Sequence, residues 1–203
     1  MKRKKEKLLK LDLGAGDNKK EGFIGVDIVK TKSVDIVCDL LKFPWPFKDN
    51  SVDEVYSSHF FEHIPGYLRG KWMNELYRVM KPGVYEGGVG KANGEGPRVV
   101  FIVPYYSSMR AIQDYTHQWP PLSEASFLYF NKEWRKLNKL EHYDVKCDFD
   151  FSYNYIISGQ WISRSDETKF FAVSNYINAV PDLQVILVKR PQSYDKTGNN
   201  KTI

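Results

Sequence analysis

Leu8-Leu9-Lys10-Leu11-Asp12-Leu13-Gly14-Ala15-Gly16 and, after a short gap, Phe23-Ile24-Gly25-Val26-Asp27 are the stretch whose reading decides the fold. The first run is mostly apolar and stops at two glycines, as a buried strand entering a tight turn does. The second is another short strand, and it ends on an acid. Strand, glycine turn and strand ending in an acid form the arrangement that binds an adenosine-containing ligand at the carboxyl edge of a parallel sheet. Gly14 and Gly16 let the backbone approach a ligand with no Cβ in the way, and the Asp27 carboxylate can accept from both hydroxyls of a ribose.

Working outward, Val34-Asp35-Ile36-Val37-Cys38 predicts a third strand followed by Asp39, and Ser51-Val52-Asp53-Glu54-Val55-Tyr56 a fourth. Asp12, Asp27 and Asp39 thereby fall along one sheet edge. From Leu68, apolar residues recur at Trp72, Leu76, Val79 and Met80, a helical spacing that Lys81-Pro82-Gly83 ends. Only nine residues, Gly14 to Gly22, separate Leu13 from Phe23, fewer than the dozen or so a helical crossover needs, so the first helix is expected to be shortened or absent. Residues 83 to 97 are too rich in glycine for an element interior and predict a mobile loop. Arg98 to Pro104 predicts a buried strand, residues 105 to 122 an irregular aromatic segment, and Ser123 an N-cap for a helix over Glu124 to Phe130. A short helix over Lys132 to Lys139 follows. Tyr143 to Tyr155 alternates apolar and polar residues and predicts one long antiparallel-type strand with a wet face. Phe170, Phe171, Val173, Tyr176 and Ile177 suit a helix ended by Pro181, and Leu183 to Val188 makes a last strand.

Six ordered motifs carry a family resemblance: Leu11 to Gly16; Gly25-Val26-Asp27-Ile28; Cys38-Asp39-Leu40; Phe47 to Val55; Glu62-His63-Ile64; and Glu75 to Gly83. Together, over about residues 8 to 104, they resemble class I S-adenosylmethionine-dependent methyltransferases of the type 11 group. The resemblance implies an α/β, Rossmann-like seven-stranded methyltransferase sheet, mostly parallel, with an antiparallel C-terminal pair formed by Tyr143–Tyr155 and Leu183–Val188. It implies S-adenosylmethionine as cofactor and S-adenosylhomocysteine as product. Asp12, Gly14, Ala15 and Gly16 would form the glycine turn, and Asp27 would take the ribose hydroxyls. Ile28 would pack on the adenine, Asp39 would accept from its amino group beside Leu40, and Ser57 and His59 would pass the methionine moiety. Lys19 and Lys20 are further candidates for the methionine carboxylate. A nicotinamide site fits less well: it wants a third glycine where Lys19 stands and an acid about 20 residues on, whereas Asp27 follows Gly16 by eleven.

Methyl transfer is an in-line displacement, so alignment of donor and acceptor comes first, and a base is needed only if the acceptor must lose a proton. The candidate catalytic residues are His117, His59 and Tyr106, which lie after the fourth and fifth strands where this fold receives its acceptor. Base amino-methylation is disfavoured, because no Asn/Asp-Pro-Pro-Tyr/Phe motif follows the fourth strand. Trp119, Phe127, Tyr129, Phe130 and Trp134 could line an acceptor pocket, although packing of the local helices uses such residues more often. His59-Phe60-Phe61-Glu62-His63 spells an inverted zinc-helix pattern, but the methyltransferase motifs account for it, and no metal site is expected.

The chain has 203 residues, 42% hydrophobic and 27% charged, a composition that argues against wholesale disorder and fits a single domain over residues 1–203. Its tails are a basic segment at 1–7 and a polar one at 191–203. The net charge of +5 resides in those ends: residues 1 to 10 hold six Lys/Arg against one acid and residues 189 to 203 four against one, which leaves the body at −3. Broad phosphate tracking is therefore not expected. The acceptor is expected to be a small molecule. Recruitment of RNA or protein through the basic tails, or a catalytically silent cofactor-binding subunit, are the alternatives. Two cysteines, no long apolar run and no signal-peptide apolar region suit a cytoplasmic protein without membrane association. Oligomeric state is not legible.

Overall fold

The computed structural model describes residues 8–83 and 96–191. Strands β1 (Lys10–Leu13), β2 (Ile24–Asp27), β3 (Ile36–Val37) and β4 (Glu54–Ser58) lead through a 3-10 turn (Phe61–His63) into helix α1 (Gly66–Val79). Then come β5 (Arg98–Pro104), α2 (Met109–Gln113), α3 (Glu124–Leu128), α4 (Lys132–Leu137), β6 (Phe149–Ile156), α5 (Gly159–Ile162), α6 (Asp166–Asn175) and β7 (Asp182–Lys189). The seven strands form one sheet in the order β3-β2-β1-β4-β5-β7-β6. The first five are parallel, and β7 enters antiparallel between β5 and β6. The strand order reverses between β1 and β4, the place where open α/β sheets bind ligands. The expected seven-stranded fold with its antiparallel pair is thus the fold observed.

Burial follows the pattern of the sequence. Leu11, Leu13, Val26, Val55, Val99, Phe101 and Val103 present buried side chains to the layers on the sheet. Helix α1 buries Trp72, Met73, Leu76 and Val79, one stripe of a 3.6-residue period. Between sheet and helix, the Phe61 ring stacks on Phe101 with centroids 5.1 Å apart and meets Trp72 edge-on at 5.4 Å. Lys189, buried near the end of β7, donates from Nζ to the carbonyls of Tyr77 (2.6 Å) and Met80 (3.0 Å) and to Asn50 Oδ1 (2.6 Å). A cation so placed satisfies carbonyls that the end of α1 leaves open.

Among the described residues, Gly14 to Gly22 contain turns and no helix, as the short spacing predicts. The crossover is held instead by Asp12, whose Oδ2 accepts from the Lys20 N–H at 2.7 Å. Its side is covered by lysines: Lys20 Nζ lies 4.0 Å from the Tyr56 ring centroid, and Lys10 Nζ lies 5.4 Å from that of Phe23.

Several boundaries differ from expectation. The predicted strand over Tyr143 to Tyr155 begins only at Phe149, because the preceding backbone is claimed elsewhere. Asn74 Oδ1 accepts from the N–H groups of Lys146 (2.7 Å) and Cys147 (3.0 Å), and Arg135 donates to the Cys147 carbonyl at 2.9 Å. The third strand shrinks to two residues, and β4 starts at Glu54 because Val52 bridges to Met80. The irregular segment 105–122 contains the short helix α2, capped by Ser108. The helix expected around Phe170 begins at Asp166 and buries only Ala172, leaving Phe170, Phe171 and Ile177 largely exposed. The glycine-rich loop lies outside the described residues from 84 to 95, as do the tails at 1–7 and 192–203. Cys38 and Cys147 are free thiols, and Cys147 is fully buried. Among the described residues no helix is long and apolar enough to cross a membrane.

Candidate cofactor and acceptor site

The register of the parallel strands brings the chemistry-bearing residues to one edge. Leu13 lies opposite Val26 and Asp27 opposite Val37, so Gly14, Asp27 and Asp39 follow the carboxyl ends of three neighbouring strands. The N–H groups of Gly14 (2.9 Å) and Ala15 (3.3 Å) both donate to the Val26 carbonyl. Gly14 has φ of 75°, and a Cβ there would lie 2.5 Å from the Phe60 ring, so the turn requires glycine. Asp27 accepts from the Gly16 N–H through Oδ2 and from the Val29 N–H through Oδ1, both at 3.0 Å. Each carboxylate oxygen keeps a lone pair for a further donor. Beside it Ile28 and Val29 expose about three-fifths of their surface, an apolar flank suited to a purine face.

Asp39 is half-buried, accepting from the Leu41 N–H at 3.0 Å with Lys42 3.3 Å away. Three expected site residues turn inward. Asp12 is buried behind the turn, where burial pushes its carboxyl pKa up against the Lys20 hydrogen bond. Leu40 belongs to the core. Ser57 is buried and spends its hydroxyl on the Leu13 carbonyl at 2.8 Å. Lys19 pairs with Asp35 at 2.7 Å and Lys20 lies over Tyr56, so both are engaged away from the edge.

On the β4–β5 side, His59 adopts φ of 54°, in the left-handed region, with its N–H on the Ile102 carbonyl. Its Nδ1 is 3.3 Å from Glu62 Oε1, and its Nε2 is 4.0 Å from Asp182 Oδ1. Hydrogen bonding to Glu62 raises the imidazole pKa above its ordinary 6.5 against the opposing effect of burial. Asp182, at the start of β7, also pairs with Arg110 at 3.0 Å. His117 lies inward: Nδ1 faces the Ala111 carbonyl at 3.3 Å and Nε2 lies 3.7 Å from Asp114 Oδ2. Its ring meets that of His63 edge-on at 4.8 Å. Tyr106 is half-exposed and packs on Tyr105.

Arg69 pins this side together. Its guanidinium donates to the carbonyls of Ile64, Pro120 and Gln118, and the Gln118 N–H returns to the Glu62 carbonyl at 2.9 Å. Burial depresses the Arg69 pKa to about 10. Sequence reasoning did not single out Arg69, Arg110, Thr116 or Asp182. Asp182 joins the site only because β7 inserts beside β5, which no local pattern announces. The expected acceptor aromatics divide: Phe127 is core, Trp119 is exposed, and Tyr129 and Phe130 line a separate cleft of about 430 Å³ that contains none of the strand-end residues.

A five-stranded parallel sheet extended by an antiparallel pair, with a glycine turn after its first strand and an acid after its second, defines the class I methyltransferase fold. Residues 11–85 match the family described as "Methyltransferase domain" (Methyltransf_11), and the resemblance carried by the sequence motifs is thereby borne out. The chain is similar to a SAM-dependent methyltransferase of Archaeoglobus fulgidus, at 20% identity and a TM-score of 0.59 over 92% of this chain and 87% of that one. It is also similar to a chain of the complex between the Trm112 methyltransferase activator of Haloferax volcanii and a methyltransferase, at 18% identity and TM-score 0.52 over 95% and 86%. A third likeness is to 1,6-didemethyltoxoflavin-N1-methyltransferase of Burkholderia thailandensis, at 10% identity and TM-score 0.52 over 90% and 71%. At these identities the likenesses concern the fold. No curated protein matches the chain.

Proposed function

We propose that this chain transfers a methyl group from S-adenosylmethionine to a small-molecule acceptor and releases S-adenosylhomocysteine. The observation that carries the reading is Asp27, whose carboxylate sits on the Gly16 N–H with an exposed Ile28 beside it. The residues present fit the cofactor: spare acceptor lone pairs for vicinal hydroxyls, an apolar flank for the purine, and Asp39 one strand further out for its amino group. The cofactor supplies an electrophilic methyl on a sulfonium.

The chain's own residues then hold and orient. Asp27 fixes the ribose, the glycine turn allows close backbone approach, and Ile28 shields one purine face. His59 stands at the end of β4, between this donor side and the acceptor side, with about a third of its side chain exposed. It can take a proton from an acceptor that must lose one. His117, with 11% of its side chain exposed and Nδ1 held by a carbonyl, is less open to an acceptor. Tyr106 presents a half-exposed aromatic surface to the same side.

The test is thermal unfolding with S-adenosylhomocysteine, with NAD as control. At 100 times its dissociation constant a ligand adds about 2.7 kcal/mol, a rise of about 5 to 11 °C for a chain of this size. The expected result is that rise for the native chain and its loss in Asp27→Ala. A native chain that unfolds cooperatively and shows no rise overturns the reading, and leaves a subunit that needs a partner to complete its site.

A further inference from the structure

We propose that Glu62, His63 and His117 form a binding site for a divalent first-row transition-metal cation on the acceptor side of the sheet edge. One ligand atom from each of the three lies within 4.8 Å of the others. The site is not the one the sequence spells. His59-x-x-Glu62-His63 straddles the end of β4 and a 3-10 turn rather than lying on a helix, and the second imidazole arrives from His117, more than fifty residues away.

Glu62 gives the first argument. Its residue is 4% exposed, and apart from His59 neither carboxylate oxygen has a hydrogen-bond partner among the described residues. His59 Nδ1 stands 3.3 Å from Oε1. Arg69 lies near enough to act on the carboxylate through its charge, but its guanidinium donates to backbone carbonyls, that of Glu62 included, and to neither carboxylate oxygen. One imidazole at Oε1 leaves Oε2 without a donor, and a buried carboxylate so sparsely partnered is costly, a cost that a metal cation offsets.

The histidine tautomers give the second argument. Thr116 Oγ1 donates its proton to Asp114 Oδ1 at 2.7 Å, so it can only accept from His63 Nδ1, 3.0 Å away. His117 Nδ1 faces the Ala111 carbonyl at 3.3 Å, and a carbonyl can only accept. With these partners both rings can carry their proton on Nδ1 and offer the Nε2 lone pair to a cation, and the Asp114 carboxylate 3.7 Å from His117 Nε2 adds negative charge beside it. Outer partners that fix the tautomer in this way accompany metal-binding histidines. The two halves of the site are also fixed to one another, through the Gln118 N–H on the Glu62 carbonyl and through Arg69. Bonds of about 2.1 Å would draw the three ligands inward by on the order of 1 Å, within reach of side-chain torsions.

Two imidazoles and one carboxylate suit Zn, Mn, Co or Fe(II), and three protein ligands leave coordination positions open. Those positions would receive an oxygen of the acceptor, holding it and lowering its pKa. This last step rests on the methyltransferase reading, whereas cation binding does not.

Chelator-treated full-length chain titrated with Co²⁺ and with Mn²⁺, followed by calorimetry and by the visible spectrum of Co²⁺, tests the site. The expected result is one equivalent bound, with affinity reduced at least tenfold in His117→Ala, in His63→Ala and in Glu62→Gln, and unchanged in His142→Ala, a histidine outside the cluster. Thermal unfolding of each variant identifies any that fails to fold. His117→Ala lies in a loop and keeps the test open if Glu62→Gln does not fold. No binding to the native chain, or binding that survives both His63→Ala and His117→Ala, overturns the proposal. S-adenosylhomocysteine added in parallel separates the two readings: a thermal shift without cation binding removes the metal site alone, and cation binding without a shift removes the methyltransferase reading alone.

Discussion

Gly14 shows how little room a single residue of this site has. It takes a positive φ at the end of β1, and a side-chain carbon there would enter the Phe60 ring at 2.5 Å. Gly14→Ala must move either the turn or the ring, at a cost of about 1 to 3 kcal/mol. Chemical denaturation is expected to show that loss, with an unchanged slope against denaturant. Gly16→Ala is expected to cost less, because nothing lies within 4 Å of the Cβ it would add and only the backbone strain of its φ of 50° remains. The turn and Asp27 were legible in the sequence, since glycine and a strand-ending acid leave a local mark. The burial of Leu40, Ser57 and Asp12 was not, because a residue beside a ligand and a residue facing the core share the same strand-end address. Which of the two it is depends on packing from other elements.

Elements show the same division. The first two strands, β5, β7 and α1 were legible because apolar runs bounded by glycine, proline or acids have a period of their own. The start of β6 was not. Residues 143 to 148 alternate like a strand, yet their backbone bonds go to Asn74 on α1 and Arg135 on α4. Side-chain claims on a backbone from distant elements leave no trace in local periodicity. Arg69 is another such claim, since it joins α1 to the loop at 118–120. Arg69→Met is expected to destabilise the chain by about 2 to 4 kcal/mol, because several buried carbonyls lose a charged donor. Limited proteolysis should then cut first within residues 105–122, and a cleavage pattern identical to that of the native chain would contradict this role.

Across the whole molecule, Glu54 stands where three strands meet, paired with Lys10 of β1 at 2.8 Å and Arg98 of β5 at 3.1 Å. Burial alone would push its pKa up, but hydrogen bonds from Lys10 and Arg98 outweigh that and hold it below the ordinary 4.5. A carboxylate depressed in the folded state adds stability that is present above pH 4.5 and is lost as pH falls through its folded pKa. Glu54→Gln is expected to lower stability at pH 7 by on the order of 1 kcal/mol and to flatten the acid limb. Native and variant melting curves that stay parallel from pH 7 to pH 3 would sink this account.

The sheet is also laced unevenly. Strands β1, β2 and β3 have four, four and two residues, whereas β5, β6 and β7 have seven, eight and eight. The half that carries the glycine turn, Asp27 and Asp39 is the half with the fewest rungs, and no helix closes its first crossover. In the language of amide exchange, this half is the part expected to open on its own while the antiparallel half stays shut. A ligand seated across three strand ends would then work as a clasp, and most of the protection it confers would appear in the quarter of the chain that holds it.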